Sequence, residues 1–255
     1  MATDADSARS EADASAEPAP RRSVASRLGA AVKETVIVLA MALTLSFVVK
    51  TFLVQAFYIP SESMEDTLAV GDRVIVSKLT PGPFELSRGD VVVFADPGGW
   101  LNETPPVNHG AALNAVRDAM TFVGLLPDTS EGHLIKRVVG LPGDRVQCCG
   151  EGGRLMVNGH AIDESPYVKP GTSPSNVDFD ITVPADSVWV MGDNRDDSSD
   201  SRFHDPAGTG RDGSVPIDLV VGRSRFTVWP LDRVAGLANH PEVFANVPQT
   251  RTVGQ

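Results

Sequence analysis

The chain has 255 residues, enough for one membrane anchor and one sizeable globular domain. Its formal charge of −11 argues against nucleic acid as the main partner, because binding to phosphates needs a basic surface. The five histidines show no metal-ligand spacing and the only two cysteines are adjacent, so the sequence predicts no metal site and no cofactor.

A polar segment opens the chain and is rich in alanine, serine, acidic residues and proline, which predicts a disordered cytoplasmic tail over residues 1–28. An uncharged apolar run follows from Thr35 to Val49. Its 15 residues would span about 22 Å as a helix, short of the roughly 30 Å hydrocarbon layer. Extension to about Val54 solves the length problem if Lys50 snorkels toward the outer interface. The sequence therefore predicts a transmembrane anchor over residues 29–56.

Three interpretations of this apolar run compete. A cleaved signal peptide needs small residues just after the core, and residues 52–57 make a poor cleavage site. A helix of a soluble domain is disfavoured because the run lacks polar residues at helical spacing. An uncleaved anchor fits best. Four basic residues between Arg21 and Lys33 keep its N-terminus in the cytoplasm, so everything after residue 58 is expected outside the cell membrane.

The remainder of the chain is typical of β structure. Short β-branched runs predict strands at residues 72–76, 90–94, 134–139, 145–147, 155–157 and 188–191. Gly-Asp pairs beginning at Gly71, Gly89 and Gly143 directly precede three of these runs, as a turn feeding a strand should. A fourth pair, Gly192-Asp193, instead follows a strand and leads into polar residues, which indicates a different role.

Two features stand outside this β pattern. Residues 111–126 carry apolar side chains at helical spacing, which predicts an amphipathic helix packed on the domain or lying on the membrane interface. Cys148 and Cys149 are either small buried apolar side chains or, outside the membrane, a vicinal disulfide.

A serine and a lysine are the first candidates for chemistry. Ser61 and Ser63 follow the apolar run, where a chain would emerge from a bilayer, but a nucleophilic serine needs a base. No histidine shows a recognisable triad arrangement. Lys136 is the alternative base, because apolar neighbours on its face of a strand would lower its pKa by excluding water. The competing interpretation is an exposed strand lysine.

A third candidate is the polar segment at residues 192–202, which follows an apolar strand. Such composition most often forms a solvated loop. Opposite charges at close spacing, Asp200 with Arg202 and Asp193 with Arg195, instead suggest a hydrogen-bonded network that holds a nearby amine in place.

Three motifs in chain order resemble those of bacterial type I signal peptidases, the membrane-bound leader peptidases of the Ser/Lys class. They are the nucleophile box at residues 59–68, the lysine box at residues 136–144 and the third box at residues 192–202. Gly71-Asp72 and residues 88–94 also resemble the family's early strands. Each motif alone is moderately specific, but the ordered set after an anchor is highly specific.

The resemblance implies a role for each residue that matches a motif. Ser63 is the nucleophile, Lys136 is the general base, and Ser61 donates its hydroxyl to the oxyanion hole. Ser198 hydrogen-bonds and orients the lysine amine, and Asp200 with Arg202 forms a supporting pair. Shallow pockets that reject large substrate side chains are expected around Ile59, Met64 and Val91.

The implied fold is mostly β, with two antiparallel sheets and a smaller β insertion, preceded by one N-terminal transmembrane helix. The catalytic domain would comprise residues 57–146 and 189–240, the inserted subdomain residues 147–188 and the C-terminal tail residues 241–255. The implied substrates are exported preproteins, whose signal peptides are removed after small residues in Ala-x-Ala sequences. The lipid bilayer is the other implied partner, with the secretion translocon as a further candidate.

One position departs from the family pattern. Asp66 stands where the family usually has proline, before the Thr-Leu of the nucleophile box. Proline would stiffen this turn through its fixed φ, whereas Asp66 is expected to cap the turn with its side chain.

Two other functions compete with this one. A self-cleaving Ser/Lys repressor of the SOS type would share the serine and lysine, but it would be soluble and carry a helical DNA-binding domain, which the predicted anchor opposes. An inactive, anchored β-domain scaffold predicts loss of the serine or the lysine, and both are present.

Overall fold

The structure is a computed structural model that describes residues 24–101 and 132–249 and, between these ranges, Gly110, Leu113 and Met120. The helix predicted at residues 111–126 therefore lies outside the described residues, apart from Leu113 and Met120, which are helical. The predicted tail lies outside them as far as residue 23. The chain forms two compact units, Met1–Leu43 and Thr44–Gln255.

The one α-helix in the described ranges, α1, spans Val24–Phe52. Its segment Ala31–Phe52 is long and apolar enough to cross a membrane, since 22 residues extend for about 33 Å. The predicted anchor ran to residue 56, and the structure corrects this boundary. Strand β1 takes up Val54–Tyr58 and pairs with a second strand, which gives the backbone groups of residues 54–56 partners outside a helix.

Twelve strands follow the helix in the described residues, and they form two antiparallel sheets. In chain order they are β1 Val54–Tyr58, β2 Arg73–Ser77, β3 Val91–Ala95, β4 His133–Gly140, β5 Arg145–Cys148, β6 Met156–Val157, β7 His160–Ala161, β8 Phe179–Thr182, β9 Ser187–Met191, β10 Val215–Pro216, β11 Val220–Trp229 and β12 Ala235–Gly236. The larger sheet has the order β1-β2-β11-β3-β4-β9-β10, with β12 added to β11. The smaller sheet has the order β7-β6-β5-β8. The predicted fold class is confirmed.

Strand β3 explains why several strands read as continuous apolar runs. Val91 and Val93 enter one core cluster, whereas Val92 and Phe94 enter another, so both faces of the strand are buried. Its neighbour β4 pairs with it residue by residue, from Val91 opposite Arg137 to Ala95 opposite His133. The charged residues of β4 are therefore buried away from water.

The three predicted Gly-Asp turns share one construction. In each, the glycine has a positive φ, which residues with a side chain rarely adopt. Each aspartate is buried, and it exchanges hydrogen bonds with the backbone of the residue three positions earlier. Each carboxylate also pairs with an arginine, and these pairs are Asp72–Arg233, Asp90–Arg223 and Asp144–Arg88. The turns thus fix where β2, β3 and β5 begin.

The adjacent cysteines form a vicinal disulfide at the end of β5, which decides between the two alternatives that the sequence left open. Cys148 is buried in the core cluster that joins the smaller sheet to Trp189 of β9. The pair belongs to the smaller sheet and to none of the three motif segments.

Candidate active site

The turn between β1 and β2 carries both predicted serines. A short 3₁₀ helix spans Glu62–Met64, and Ser61 precedes it in an extended conformation. Met64 is fully buried and anchors the turn in the core. The Ser63 hydroxyl is buried beside it, while Ser61 is exposed, and the two Oγ atoms lie 3.3 Å apart. The turn therefore directs one hydroxyl inward and leaves the other at the surface.

Lys136 meets this turn from strand β4. Its Nζ donates a hydrogen bond of 2.6 Å to Ser63 Oγ, across 73 positions of sequence. The lysine side chain is only 4% exposed, and its sequence neighbours Leu134 and Val138 are buried as well. The structure thus provides the apolar surroundings predicted for a lysine base and excludes the exposed strand lysine.

Burial lowers the pKa of Lys136 from 10.5 to about 8, the change that a proton-accepting amine requires. The carboxylates of Asp200 and Asp193 oppose this fall, and Arg202 adds to it. At pH 7 a pKa of about 8 leaves roughly a tenth of the amine neutral, against about three parts in ten thousand for an ordinary lysine. The environment thus raises the neutral fraction by about 300-fold.

The predicted pair of Asp200 and Arg202 forms and is buried. Arg202 Nε and Nη2 donate to the two carboxylate oxygens at 2.8 and 2.9 Å, and Gly192 N donates to the carboxylate at 2.9 Å. Burial alone would raise the pKa of Asp200, but these bonds hold it below its usual value. Asp200 therefore presents a fixed negative charge to the lysine amine.

Ser198 departs from its expected role. Its Oγ is buried and has no hydrogen-bond partner among the described residues, although it lies close enough to Asp200 to help lower the pKa of that carboxyl. The lysine amine bonds Ser63 instead. This segment is so closely packed that a Cβ at Gly192 would overlap Ser198 Oγ and the Ser63 carbonyl oxygen.

The second suggested charge pair, Asp193 with Arg195, is wrong. Asp193 makes a bidentate pair with Arg137, at 2.8 and 2.6 Å, and both side chains are fully buried. Thr67 Oγ1 donates to the same carboxylate at 2.6 Å. Arg195 pairs with Glu164. Sequence reasoning missed Arg137, although an arginine in a buried strand needs a carboxylate partner and so carried the signal.

A small cavity of about 100 Å³ opens beside Ser61 and Lys136. The residues that line it are Phe57, Tyr58, Ile59, Pro60, Ser61, Val93, Leu101, His133, Leu134, Ile135 and Lys136. Ile59 thus lies where a pocket residue was expected. Met64 and Val91 do not line the cavity, and Val93 takes the expected place on β3, although all four side chains belong to the same buried core cluster.

Asp66 takes a conformation that proline is unable to adopt. Its φ is +83°, whereas the proline ring fixes φ near −65°. No hydrogen bond to its exposed carboxylate is found in the described part of the chain, so the expected side-chain cap is absent. The departure from the family pattern thus changes the backbone of the turn as well as its side chain.

We expect Asp66→Gly to stabilise the protein by about 0.5–1 kcal/mol, because glycine adopts a positive φ without steric cost. Asp66→Pro is expected to cost roughly 2 kcal/mol or more, since the turn would have to rebuild. Urea unfolding of the full chain in detergent measures both changes. A proline variant as stable as the starting protein would contradict the left-handed conformation at this position.

The chain matches one family of known proteins along most of its length. The model of a family described as signal peptidase, peptidase S26, matches residues 32–229. The chain is 37% identical over 251 residues to the signal peptidase I of Mycobacterium tuberculosis, which covers 91% of this chain and 82% of that protein. It is 36% identical over 231 residues to the probable signal peptidase I of Mycobacterium leprae, with coverage of 81% and 79%.

A more distant relative gives the same result. The signal peptidase I of Leptolyngbya laminosa is 34% identical over 204 residues, which cover 80% of this chain and 82% of that protein. The range matched by the family model contains Ser63, Lys136 and the segment at residues 192–202. Within the described residues no group of three or more histidine, cysteine or acidic side chains is arranged to hold a metal ion.

Proposed function

The chain belongs to the signal peptidase family, peptidase S26, and we propose that it is a membrane-bound endopeptidase that removes N-terminal signal peptides from exported preproteins. The observation that carries the proposal is the 2.6 Å hydrogen bond between Lys136 Nζ and Ser63 Oγ. A serine within hydrogen-bond reach of a buried amine of lowered pKa has the two parts that nucleophilic catalysis needs.

In the proposed reaction the neutral amine of Lys136 takes the proton of the Ser63 hydroxyl as Oγ attacks the scissile carbonyl carbon. The tetrahedral intermediate collapses, the C–N bond breaks, and the lysine returns its proton to the leaving amine of the mature protein. Ser63 then carries the signal peptide as an ester. Lys136 next takes a proton from a water molecule whose oxygen attacks the ester carbon. The C–Oγ bond then breaks, the lysine returns the proton to Ser63 Oγ, and the signal peptide leaves with a new carboxylate.

The other motif residues take supporting roles in this proposal. The exposed Ser61 hydroxyl, 3.3 Å from Ser63 Oγ, donates to the developing oxyanion, together with the backbone N–H of Ser63. Arg202 holds the Asp200 carboxylate near the amine. The negative charge of this carboxylate stabilises the lysinium formed after proton transfer. We propose that the Ser198 hydroxyl turns toward the Lys136 amine once that amine no longer bonds Ser63 Oγ.

The small cavity supports a preference for small substrate residues. Its volume of about 100 Å³ suits a small side chain such as the methyl group of alanine. The lining beside Ser61 is mainly apolar. We propose that Ile59, with Val93 in place of the expected Met64 and Val91, limits the side chains next to the cleaved bond. This would give cleavage after Ala-x-Ala.

The anchor completes the proposal. We propose that α1 spans the cell membrane once, with its N-terminus in the cytoplasm because of the basic residues before it. The catalytic domain would then face the outside, where signal peptides emerge from the bilayer. The proposed partners are preproteins and lipid, with the secretion translocon as a further candidate.

The function is tested by incubating the full chain in detergent with a preprotein that ends its signal peptide in Ala-x-Ala. We expect release of the mature protein, and a loss of at least about 10³-fold in Ser63→Ala. A preprotein with phenylalanine at the residue before the cleaved bond serves as the matched control and should stay intact. Mature protein released equally by the alanine variant would sink the assignment of the nucleophile.

A further inference from the structure

We propose that Glu164, which lies outside the three motif segments, is a positioning residue for the serine and lysine of the active site. It clamps Arg195, and the segment around Arg195 holds both the nucleophile turn and the carboxylate that faces Lys136. This inference rests on the proposed function, in which Ser63 is the nucleophile and Lys136 is the base.

The clamp itself is a buried bidentate ion pair. Arg195 Nη2 and Nη1 donate to the two oxygens of Glu164 at 2.6 and 2.8 Å. Arg195 is 1% exposed and Glu164 is 7% exposed. Tyr167 donates its hydroxyl to Glu164 at 2.7 Å, and burial raises the pKa of Tyr167 well above its usual value, so the hydroxyl remains a donor. The Glu164 carboxylate thus accepts three hydrogen bonds in a buried site.

The backbone around Arg195 carries this fixed position into the active site. Arg195 Nε donates to the carbonyl oxygen of Gly192 at 2.8 Å, and the Arg195 carbonyl oxygen accepts from Arg202 Nη2 at 3.0 Å. One side chain and one carbonyl group therefore fix both ends of the segment that bears Asp200. The clamp therefore determines the position of the pair of Asp200 and Arg202.

The neighbouring residue Asn194 reaches the nucleophile. Its backbone N–H donates to the Ser63 carbonyl oxygen at 3.2 Å, and its Nδ2 donates to the Glu62 carbonyl oxygen at 3.1 Å. Asn194 is 3% exposed, so these bonds hold the turn from within the domain. Clamping of Arg195 therefore sets Ser63 and the charge opposite Lys136 in a single frame.

Loss of the Glu164 charge would disturb this frame because it leaves the Arg195 guanidinium buried without its carboxylate. The segment must then shift to bring the guanidinium to water or to another acceptor. Around Lys136 the facing charges are Asp200, Asp193 and Asp197, which favour the lysinium, and Arg202, which opposes it. Burial is the largest influence on this amine, so water admitted by a shifted segment moves its pKa upward.

The test compares Glu164→Gln with the starting protein, both as full chains in detergent. We expect kcat to fall by about 10- to 100-fold, as for loss of groups that orient catalytic residues. KM should stay within about twofold, because Glu164 does not line the substrate cavity. The acid limb of the pH profile should move about one pH unit higher.

Asp180→Asn provides the matched control. Asp180 makes a bidentate pair with Arg145 in the smaller sheet, with bonds of 2.8 and 2.6 Å, but this pair is about half exposed and touches no motif segment. All three kinetic quantities should be unchanged in this variant. A pH profile of Glu164→Gln that superimposes on that of the starting protein overturns the proposal, whatever the change in kcat.

A second variant decides the matter if Glu164→Gln fails to fold. Tyr167→Phe removes one hydrogen bond to Glu164 but keeps the ring that stacks against the Arg137 guanidinium. We expect a smaller fall in kcat and a smaller move of the acid limb in the same direction. An acid limb in its original place in Tyr167→Phe overturns the proposal in that case.

Separate measurements test the role of the clamp and the proposed function. The titration of Lys136 can be followed without substrate, by NMR of the Cε signal in lysine-labelled protein assigned with Lys136→Met. If the starting protein cleaves no preprotein, the proposed function fails, and the titration still shows whether the Glu164 variant shifts the amine. If preprotein is cleaved and the titration stays in place, only the clamp fails.

Discussion

Lys136→Met is expected to reduce preprotein cleavage by at least about 10³-fold while the protein remains folded. Methionine matches the lysine stem in length and removes only the amine that lies 2.6 Å from Ser63 Oγ. Among the residues that the structure describes, the serine then has no basic group within hydrogen-bond reach. Initial rates of mature-protein release measure the loss.

The pH dependence of the starting protein follows from the same amine. With a pKa of about 8, its neutral form falls about tenfold for each pH unit below that value, so kcat/KM should fall with the same slope. An acid limb centred near pH 6, typical of histidine, would exclude Lys136 as the base.

Lys136→Met is also expected to be more stable than the starting protein. The folded protein binds the lysine proton less tightly than the unfolded chain, since the pKa falls from 10.5 to about 8. This penalty is fully present below pH 8, where it amounts to about 3 kcal/mol, and it disappears as the pH rises to 10.5. Lys136→Met should therefore unfold at higher urea concentration at pH 7 and lose most of that advantage at pH 10.5.

Lys169→Met is the control for this stability change. Lys169 is partly exposed and its pair with Glu65 is half open to solvent, so no gain in stability at pH 7 is expected. Equal stability of Lys136→Met and the starting protein at pH 7 would contradict the buried, lowered pKa. A site that stores such a penalty gives up stability for reactivity.

Three of the strands predicted from sequence, β3, β4 and β9, are buried on both faces. Runs such as residues 91–94 stand out because every side chain meets a core. Strand β11 was not predicted, although it is the longest strand and lies between β2 and β3. Gly222 and two half-buried arginines interrupt its apolar pattern. The glycine is required because a Cβ there would overlap the Ser77 carbonyl oxygen of β2, a contact that no local pattern reveals.

The same distinction between local and distant contacts applies to the site. Asp200 and Arg202 were paired correctly because they are two positions apart and share one turn. Asp193 and Arg195 are as close in sequence but pair with residues 56 and 31 positions away. Sequence spacing predicts ion pairs within one turn. Ion pairs between distant segments depend on the order of the strands, which local sequence patterns do not reveal.

The largest loss of stability is expected on breaking the pair of Arg137 and Asp193. Asp193→Asn keeps the shape of the side chain but removes its charge, and it leaves an arginine with no exposed surface facing an amide. Loss of one partner of such a buried pair typically costs about 3–5 kcal/mol, because the remaining charge is uncompensated. Urea unfolding of the full chain measures the change.

The exposed pair of Asp180 and Arg145 is the matched control for this loss of stability. Asp180→Asn breaks the bidentate pair with Arg145, which has similar bond lengths but lies about half in solvent, so it should change the stability far less than Asp193→Asn does. Bond geometry alone would predict equal losses for the two variants, so equal losses would refute the role of burial. Asp193 also bonds Thr67, three positions from Met64 in the turn that carries Ser63. Loss of its charge should therefore lower kcat as well as stability, which Asp180→Asn should not.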